Sequence, residues 1–140
     1  MKKVAQVQIM CAQHQELRDV AQKYRHALAQ ARPEPQALAD CRWRLMRLIT
    51  GHIAYENAHL YPALPECGAR AEALGKEMAA ELGQLTAQLH AHVREWTAER
   101  IAADWSGYRA AAEALIVALT KRIDREEQEL YPLLTFARAA

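Results

Sequence analysis

The chain has 140 residues, 51% of them hydrophobic but only 6% aromatic, and its formal net charge is +1. This length suffices for one domain with one core, and the composition favours helices packed through leucine and alanine over a sandwich of strands. Because no block of basic residues stands out, a nucleic-acid partner is not expected. The sequence predicts a single all-α domain over residues 1–140.

The N-terminal segment, residues 1–8, has two lysines without an apolar stretch behind them. We therefore expect neither a signal peptide nor a membrane anchor, and no later stretch is long and apolar enough to span a bilayer. The three cysteines, Cys11, Cys41 and Cys67, lack a CxxC spacing, which is typical of free thiols in a reducing compartment. A cytoplasmic protein without a membrane partner is the resulting prediction.

Apolar residues recur at helical spacing in four segments, which are residues 7–28, 38–59, 74–96 and 108–133. Prolines and glycines, among them Pro33, Pro62 and Gly107, lie in the short stretches between these segments. Short connections between long helices make consecutive helices antiparallel neighbours. The chain order therefore predicts an up-down-up-down four-helix bundle.

The ends of the second and fourth segments repeat each other. Residues 51–62 align without a gap to residues 121–132, and both stretches end in Leu-Tyr-Pro. Glu56 and Glu126 occupy the same position in the two copies, whereas His14 matches Leu82 more loosely when the first segment is aligned with the third. The repeat predicts two similar helical hairpins related by an approximate twofold axis.

Polar side chains lie on or beside the apolar stripes, where burial without partners costs several kcal/mol, on the order of 2–7. His14 and His52 lie equally far from the first turn, and Arg122 and Glu126 lie at similar distances from the second. In a bundle, such positions meet at one level. We therefore expect one polar cluster, formed by His14, His52, Glu56, Arg122 and Glu126.

This pattern resembles the hemerythrin-like, or HHE cation-binding, family, and the resemblance covers nearly the whole chain. His14 fits the histidine of the family's first helix. His52 and Glu56, followed by Leu-Tyr-Pro, fit the His-x-x-x-Glu motif of the second helix, and Glu126 fits the carboxylate of the fourth. The resemblance implies a bundle whose core binds metal through histidine and carboxylate side chains.

Two positions depart from the family pattern. The third-helix histidine falls at Leu82, and the fourth-helix histidine is replaced by Arg122. In the family, one iron depends on the histidines of helices one and two and the other on those of helices three and four. The resemblance therefore implies a degenerate site for at most one ion, not an oxygen-carrying di-iron centre, with four ligands: His14, His52, Glu56 and Glu126.

Two hypotheses of function remain open. Two imidazoles and two carboxylates suit one Fe, Mn or Zn ion, which would make the chain a metal-binding, sensing or regulatory protein rather than an enzyme. His59 and Tyr55 are the candidates for outer partners of these ligands. Chemistry at a di-iron site is least expected because it needs the missing histidines.

Alternatively, the core binds no metal. The guanidinium of Arg122 would then replace the cation by pairing bidentately with Glu56 or Glu126, and the bundle would be an interaction or signalling module. Residues 51–56 also loosely resemble a stretch of the anti-sigma regulators, which are four-helix bundles of similar length. A protein partner or a homodimer fits this second hypothesis.

Overall fold

The computed structural model describes residues 2–136, and within that range it contains helices and no strand. Its α-helices are α1 (Lys2–Leu28), α2 (Pro35–His59), α3 (Ala69–Glu95), α4 (Ala98–Ala103), α5 (Trp105–Arg125) and α6 (Tyr131–Phe136). A 3₁₀ segment, Tyr61–Cys67, connects α2 to α3, and a π-helical segment, Glu126–Leu130, connects α5 to α6. The prediction of an all-α chain is confirmed.

The connection between the third and fourth predicted segments is more structured than a simple turn. Thr97 accepts a hydrogen bond from the Arg100 N–H at 3.2 Å and so caps α4. Asp104 accepts from the Gly107 N–H at 2.9 Å and caps α5. Each cap satisfies a backbone N–H that has no partner inside its helix. A short extra helix therefore forms where the sequence indicated only a break.

The fourth predicted segment changes its winding near the end. From Glu126 to Leu130 the backbone forms π turns, and the Tyr131 N–H bonds to the Glu126 carbonyl five residues earlier. Such turns insert an extra residue, change the direction of the side chains that follow, and are frequent at functional sites. Here the consecutive residues Glu126 and Glu127 both contact His14.

The hydrophobic core is divided into a larger and a smaller cluster. Along α1, Met10 belongs to the smaller cluster and Leu17 to the larger one, with His14 between them. Buried polar and charged residues form a layer between the clusters: His14, His52, Glu56, Arg122 and Glu126. α1 contacts both α2 and α5, and α3 contacts α5, so all four long helices surround this polar layer.

No helix between residues 2 and 136 has the length and apolar character that crossing a bilayer requires.

Candidate metal centre

Four side chains of the polar layer bring one donor atom each to a common point. They are His14, His52, Glu56 and Glu126, and none of them is more than 7% exposed. Their donor atoms all lie within 4.8 Å of one another. The structure therefore brings together the four residues that the sequence indicated as ligands.

Four of the separations between these donor atoms lie between 2.8 and 3.4 Å. His14 Nε2 lies 2.8 Å from Glu126 Oε1 and 3.0 Å from His52 Nε2. His52 Nε2 lies 3.4 Å from Glu56 Oε2 and 3.4 Å from Glu126 Oε1. Ligands placed tetrahedrally at ~2.0–2.1 Å from a zinc-sized ion are about 3.3–3.4 Å apart. A first-row ion therefore fits among these atoms with small side-chain movements.

The second ring nitrogen of each histidine is occupied by a hydrogen-bond acceptor. His14 Nδ1 lies 2.7 Å from Glu127 Oε2, and His52 Nδ1 lies 2.7 Å from the side-chain oxygen of Gln13. Since an ionised carboxylate and an amide oxygen only accept, both Nδ1 atoms donate. In a neutral imidazole this leaves Nε2 as a lone pair. Metal-binding histidines are commonly oriented in this way by an outer oxygen.

Glu127 is itself fixed by an arginine on the first helix. Arg18 donates to both of its carboxylate oxygens, at 3.1 and 2.8 Å, and also to Asp124 at 2.9 Å. Burial favours the neutral form of Glu127, but the hydrogen bonds from Arg18 and His14 outweigh it and lower the pKa of Glu127. Glu127 is therefore ionised and accepts a hydrogen bond from His14 Nδ1.

The two central carboxylates have different environments. Burial alone would raise the pKa of Glu126, but its short contacts with His14 and His52 and the charge of Arg122 outweigh burial and hold that pKa well below its usual range. Burial raises the pKa of Glu56, and His52 offsets this only in part. The buried Oε1 atom of Glu56 has no hydrogen-bond partner in the described part of the chain. Both oxygens of Glu126 thus have partners, whereas one oxygen of Glu56 has none among the described residues.

The two carboxylates of the layer favour the protonated form of His52. Burial lowers the pKa of this imidazole, but the hydrogen bonds and charges of Glu126 and Glu56 outweigh burial and raise it to about 9. Without a metal, therefore, a proton on His52 supplies positive charge to the cluster. A metal ion would have to displace that proton, since it binds the neutral imidazole.

Arg122 faces the same layer from α5 and is 8% exposed. Its Nε donates to Glu126 Oε2 at 3.0 Å, one Nη donates to the Met78 carbonyl at 2.5 Å, and the other donates to the Tyr61 hydroxyl at 2.7 Å. The expectation of a bidentate pair with Glu56 or Glu126 is therefore wrong. Only Nε reaches Glu126, because α3 and Tyr61 use the other N–H groups.

Leu82, at the position aligned with His14, is half-buried beside Arg122. Both line a cavity of about 20 Å³ that also touches Glu56 and Glu126. A space of this volume is large enough for one water molecule. No donor atom comes from Leu82 itself, because its side chain is entirely hydrocarbon.

The two residues expected as outer partners lie away from the four ligands. The rings of Tyr55 and His59 pack against each other with centroids 4.4 Å apart. His59 is exposed, and its Nδ1 lies 3.3 Å from the side-chain nitrogen of Gln6. The outer contacts come instead from residues that we did not select from the sequence: Gln13, Arg18, Tyr61, Glu127 and Tyr131.

Tyr131 makes the most direct of these contacts. Its ring is 2% exposed and stacks on His14, with centroids 5.3 Å apart. Its hydroxyl lies 3.1 Å from His14 Nε2, 2.9 Å from Glu56 Oε2 and 3.2 Å from Glu126 Oε1. The repeated Leu-Tyr-Pro was the signal that could have indicated it, since Tyr131 follows Glu126 as Tyr61 follows Glu56.

One protein family matches the chain. The family model described as the hemerythrin HHE cation binding domain matches residues 6–134, a range that contains every residue of the polar layer. No curated protein and no solved structure matches the chain. The family model and the geometry of the four donor atoms both indicate cation binding.

Proposed function

This chain belongs to the hemerythrin HHE cation-binding family, and from that premise we propose that its polar layer binds one divalent transition-metal ion. The ligands would be His14, His52, Glu56 and Glu126. Two imidazole nitrogens and two carboxylate oxygens suit Fe(II), Mn(II) or Zn(II). When bound, the ion supplies the positive charge that the converging lone pairs lack.

The supporting observation is that two imidazole nitrogens and two carboxylate oxygens converge in a buried layer. His14 Nε2 and His52 Nε2 are 3.0 Å apart, and the nitrogen on the far side of each ring already donates to an oxygen. Two lone pairs at this distance repel unless a cation or a proton lies between them. A proton on His52 can serve only part of the cluster, and Glu56 Oε1 remains without a partner among residues 2–136.

The arrangement of the long helices that we propose is the up-down-up-down bundle of two similar hairpins. Each long helix contributes to an aromatic cluster at the far end from the polar layer: the Tyr108 ring contacts Tyr24, His92 and Arg42. From the polar layer toward this cluster, the chain runs forward along α1 and α3 and backward along α2 and α5. This alternation supports antiparallel neighbours.

Arg122 gives the site its degenerate character in this proposal. Its guanidinium holds Glu126 Oε2 at 3.0 Å, and beside it Leu82 offers no lone pair. A permanent positive charge beside the carboxylates disfavours a second metal ion there. We therefore propose a site for one ion, with a binding, sensing or regulatory role and no catalytic or oxygen-carrying role.

A metal-free interaction module is the second candidate, and the positive charges already present in the polar layer favour it. Arg122 already neutralises Glu126, and the raised pKa of His52 lets a proton supply further charge. Trp43, on the outer face of α2, is 68% exposed and offers an apolar contact to a protein partner or a second copy of the chain.

Neither candidate involves nucleic acid. The free thiols Cys11, Cys41 and Cys67 support a cytoplasmic location for both.

Metal content separates the two candidates. We would purify the chain without chelators or metal-affinity resin, measure its metals by elemental analysis, and titrate it with Zn(II) and Fe(II) by calorimetry. One ion per chain is expected. His52→Ala should lose it, whereas His90→Ala, which removes an exposed histidine, should keep it. No metal as purified and no uptake in the titration would overturn the proposal in favour of the metal-free module.

A further inference from the structure

We propose that Tyr131 is a fifth ligand, whose phenol oxygen binds the ion together with His14, His52, Glu56 and Glu126. This inference rests on the proposed metal-binding function and extends it. It comes from the position of the Tyr131 oxygen, which lies as close to the donor atoms as they lie to one another. The ligand set would then be two nitrogens and three oxygens.

The geometry places Tyr131 on the open face of the ligand cluster. His52 Nε2 lies 3.0–3.4 Å from three atoms, which are His14 Nε2, Glu56 Oε2 and Glu126 Oε1. The Tyr131 hydroxyl lies 2.9–3.2 Å from the same three atoms. On one side of the plane of these three atoms, two points with such similar distances would nearly coincide, which two non-bonded atoms cannot do. His52 and Tyr131 therefore approach the plane of the other three donors from opposite sides.

Two donors on opposite sides of a plane of three occupy the axial positions of a trigonal bipyramid, and four-coordinate zinc sites can expand to five ligands. The equatorial pair His14 Nε2 and Glu126 Oε1, now 2.8 Å apart, would move apart to about 3.6 Å around such an ion. For bonds of ~2.1 Å, each axial ligand lies about 3.0 Å from each equatorial ligand. The Tyr131 oxygen meets this requirement at 2.9, 3.1 and 3.2 Å. Its position needs no rotation of the side chain toward the ion.

A hydrogen bond alone accounts for only one of these contacts. The Tyr131 hydroxyl has one proton, which Glu56 Oε2 can accept at 2.9 Å. The other two contacts join the phenol oxygen to Glu126 Oε1 and to His14 Nε2, which is a lone pair when Nδ1 donates to Glu127. Three short contacts with one proton leave two pairs of facing lone pairs. A cation among them turns these contacts from repulsive to favourable.

The surrounding structure fixes the phenol in this place. The Tyr131 ring is nearly parallel to His14, at an interplanar angle of 13°, and is buried against the smaller hydrophobic cluster. The π-helical segment that precedes it sets the direction of the side chain. Phenolate with two carboxylates also supplies three negative charges, which balance a trivalent ion such as Fe(III).

Tyr61 provides a matched control within the same protein. It occupies the equivalent position of the repeated Leu-Tyr-Pro, but its hydroxyl accepts a hydrogen bond from Arg122 at 2.7 Å. Removal of that hydroxyl therefore changes a neighbour of the site without removing a proposed ligand. Affinity alone would not separate the two roles, because loss of an outer hydrogen bond can itself weaken metal binding 10–100-fold.

The test is optical. The whole chain is loaded with Fe(II) under anaerobic conditions, the bound iron is counted, and ferricyanide then removes one electron per ion to give Fe(III) and ferrocyanide. Coordination by Tyr131 releases the phenolic proton to solvent and gives the phenolate-to-Fe(III) charge-transfer band in visible light. We expect this band in the parent chain and in Tyr61→Phe. Tyr131→Phe should bind iron at least tenfold more weakly and should show no band when saturated.

Resonance Raman scattering excited in that band identifies tyrosinate vibrations in the parent chain, so the test does not depend on a variant that folds. Iron bound at one ion per chain without the band would overturn the fifth-ligand proposal and leave the metal-binding function standing. A band that persists in Tyr131→Phe would also overturn it. A parent chain that binds no iron would overturn both proposals.

Discussion

The two sides of the polar layer differ in whether they already contain a permanent positive charge. On the side of α1 and α2, His14 and His52 direct Nε2 atoms toward two carboxylates, and these acceptors need a cation. On the side of α3 and α5, Arg122 supplies a permanent cation, and Leu82 supplies only hydrocarbon. The layer therefore combines one half that can bind an ion with one half that already contains a positive charge.

Glu126 connects the two halves through its two oxygens. Oε1 contacts His14 at 2.8 Å, whereas Oε2 accepts from Arg122 at 3.0 Å. Glu56 lacks this balance, since its Oε2 contacts Tyr131 and its Oε1 has no partner in the described residues. Arg122 thus compensates one of the two carboxylates. The comparison indicates that the replacement of a metal by an arginine is incomplete, which leaves a reason for the other half to bind an ion.

The largest expected effect comes from the removal of the built-in cation. Arg122→Ala leaves Glu126 Oε2 and the Met78 carbonyl buried without their donor, and breaking a buried pair in this way typically costs ~3–5 kcal/mol of unfolding free energy. Urea unfolding of the metal-free protein, followed by circular dichroism, measures the loss. Added Zn(II) should restore part of it by binding the native state.

Arg125→Ala is the matched control for that experiment. Arg125 also lies at the end of α5 and forms ion pairs with Glu77, Glu81 and Glu129, but these pairs are on the surface. Exposed pairs contribute about 1 kcal/mol or less each. If Arg122→Ala were no more destabilising than Arg125→Ala, the contrast between the two halves of the layer would lose its energetic basis.

The second prediction concerns a variant that would give both halves of the polar layer a histidine. Arg122→His removes the permanent charge and places an imidazole beside Glu126 Oε2, where the family has one. We expect a higher metal affinity or more than one ion per chain, measured by elemental analysis after equilibration with excess Mn(II) or Zn(II). Arg122→Gln is the control, because it removes the charge without adding a metal ligand. Equal metal content in the His variant and the parent would contradict the role that we assign to Arg122.

The third prediction concerns the half that binds the ion. A ligand at 100 times its dissociation constant stabilises a native protein by about 2.7 kcal/mol. Zn(II) at 100 times its dissociation constant should therefore raise the unfolding free energy of the parent chain by about 2.7 kcal/mol. His52→Ala should lose most of the gain at the same Zn(II) concentration, because one of the proposed ligands is absent. A variant that kept the full gain would show that zinc binds elsewhere.

The sequence predicted that these polar side chains meet because helical periodicity fixes both the face and the level of a side chain, and the family resemblance then implied which four are ligands. His14, His52, Glu56 and Glu126 needed only regular α-helix between the turns and their positions, and α1 and α2 are regular up to the site. Arg122 was found by the same reasoning. Its partners were not, since the hydrogen bond to the Met78 carbonyl depends on a side-chain conformation that periodicity does not set.

The rest of the site depends on backbone that the sequence does not distinguish. Leu-Tyr-Pro occurs twice, but Tyr61 begins a 3₁₀ segment and Tyr131 follows a π-helical one. The same three residues thus place one phenol on Arg122 and the other on His14 and Glu56. Glu127 at the start of the π-helical segment contacts His14 Nδ1, which the repeat did not indicate.

The smallest expected effect tests that outer contact. Glu127→Gln keeps an oxygen near His14 Nδ1 but removes the charge that Arg18 and His14 now share. Outer partners of ligating histidines typically change metal affinity 10–100-fold. We expect the lower end of this range, about tenfold or ~1.4 kcal/mol, because the amide oxygen of the variant still accepts the Nδ1 proton. The dissociation constant of Zn(II) from calorimetry measures the change.

Glu129→Gln is the appropriate control for Glu127→Gln, since it removes a nearby surface carboxylate that pairs with Arg125 at 2.8 Å and not with a ligand. The comparison between the two variants isolates the contact to His14 from the general loss of negative charge in the π-helical segment. If both variants weakened zinc binding equally, the effect would come from the overall electrostatic field. A tenfold loss in Glu127→Gln alone would assign it to the orientation of His14, because only this carboxylate reaches the imidazole, at 2.7 Å.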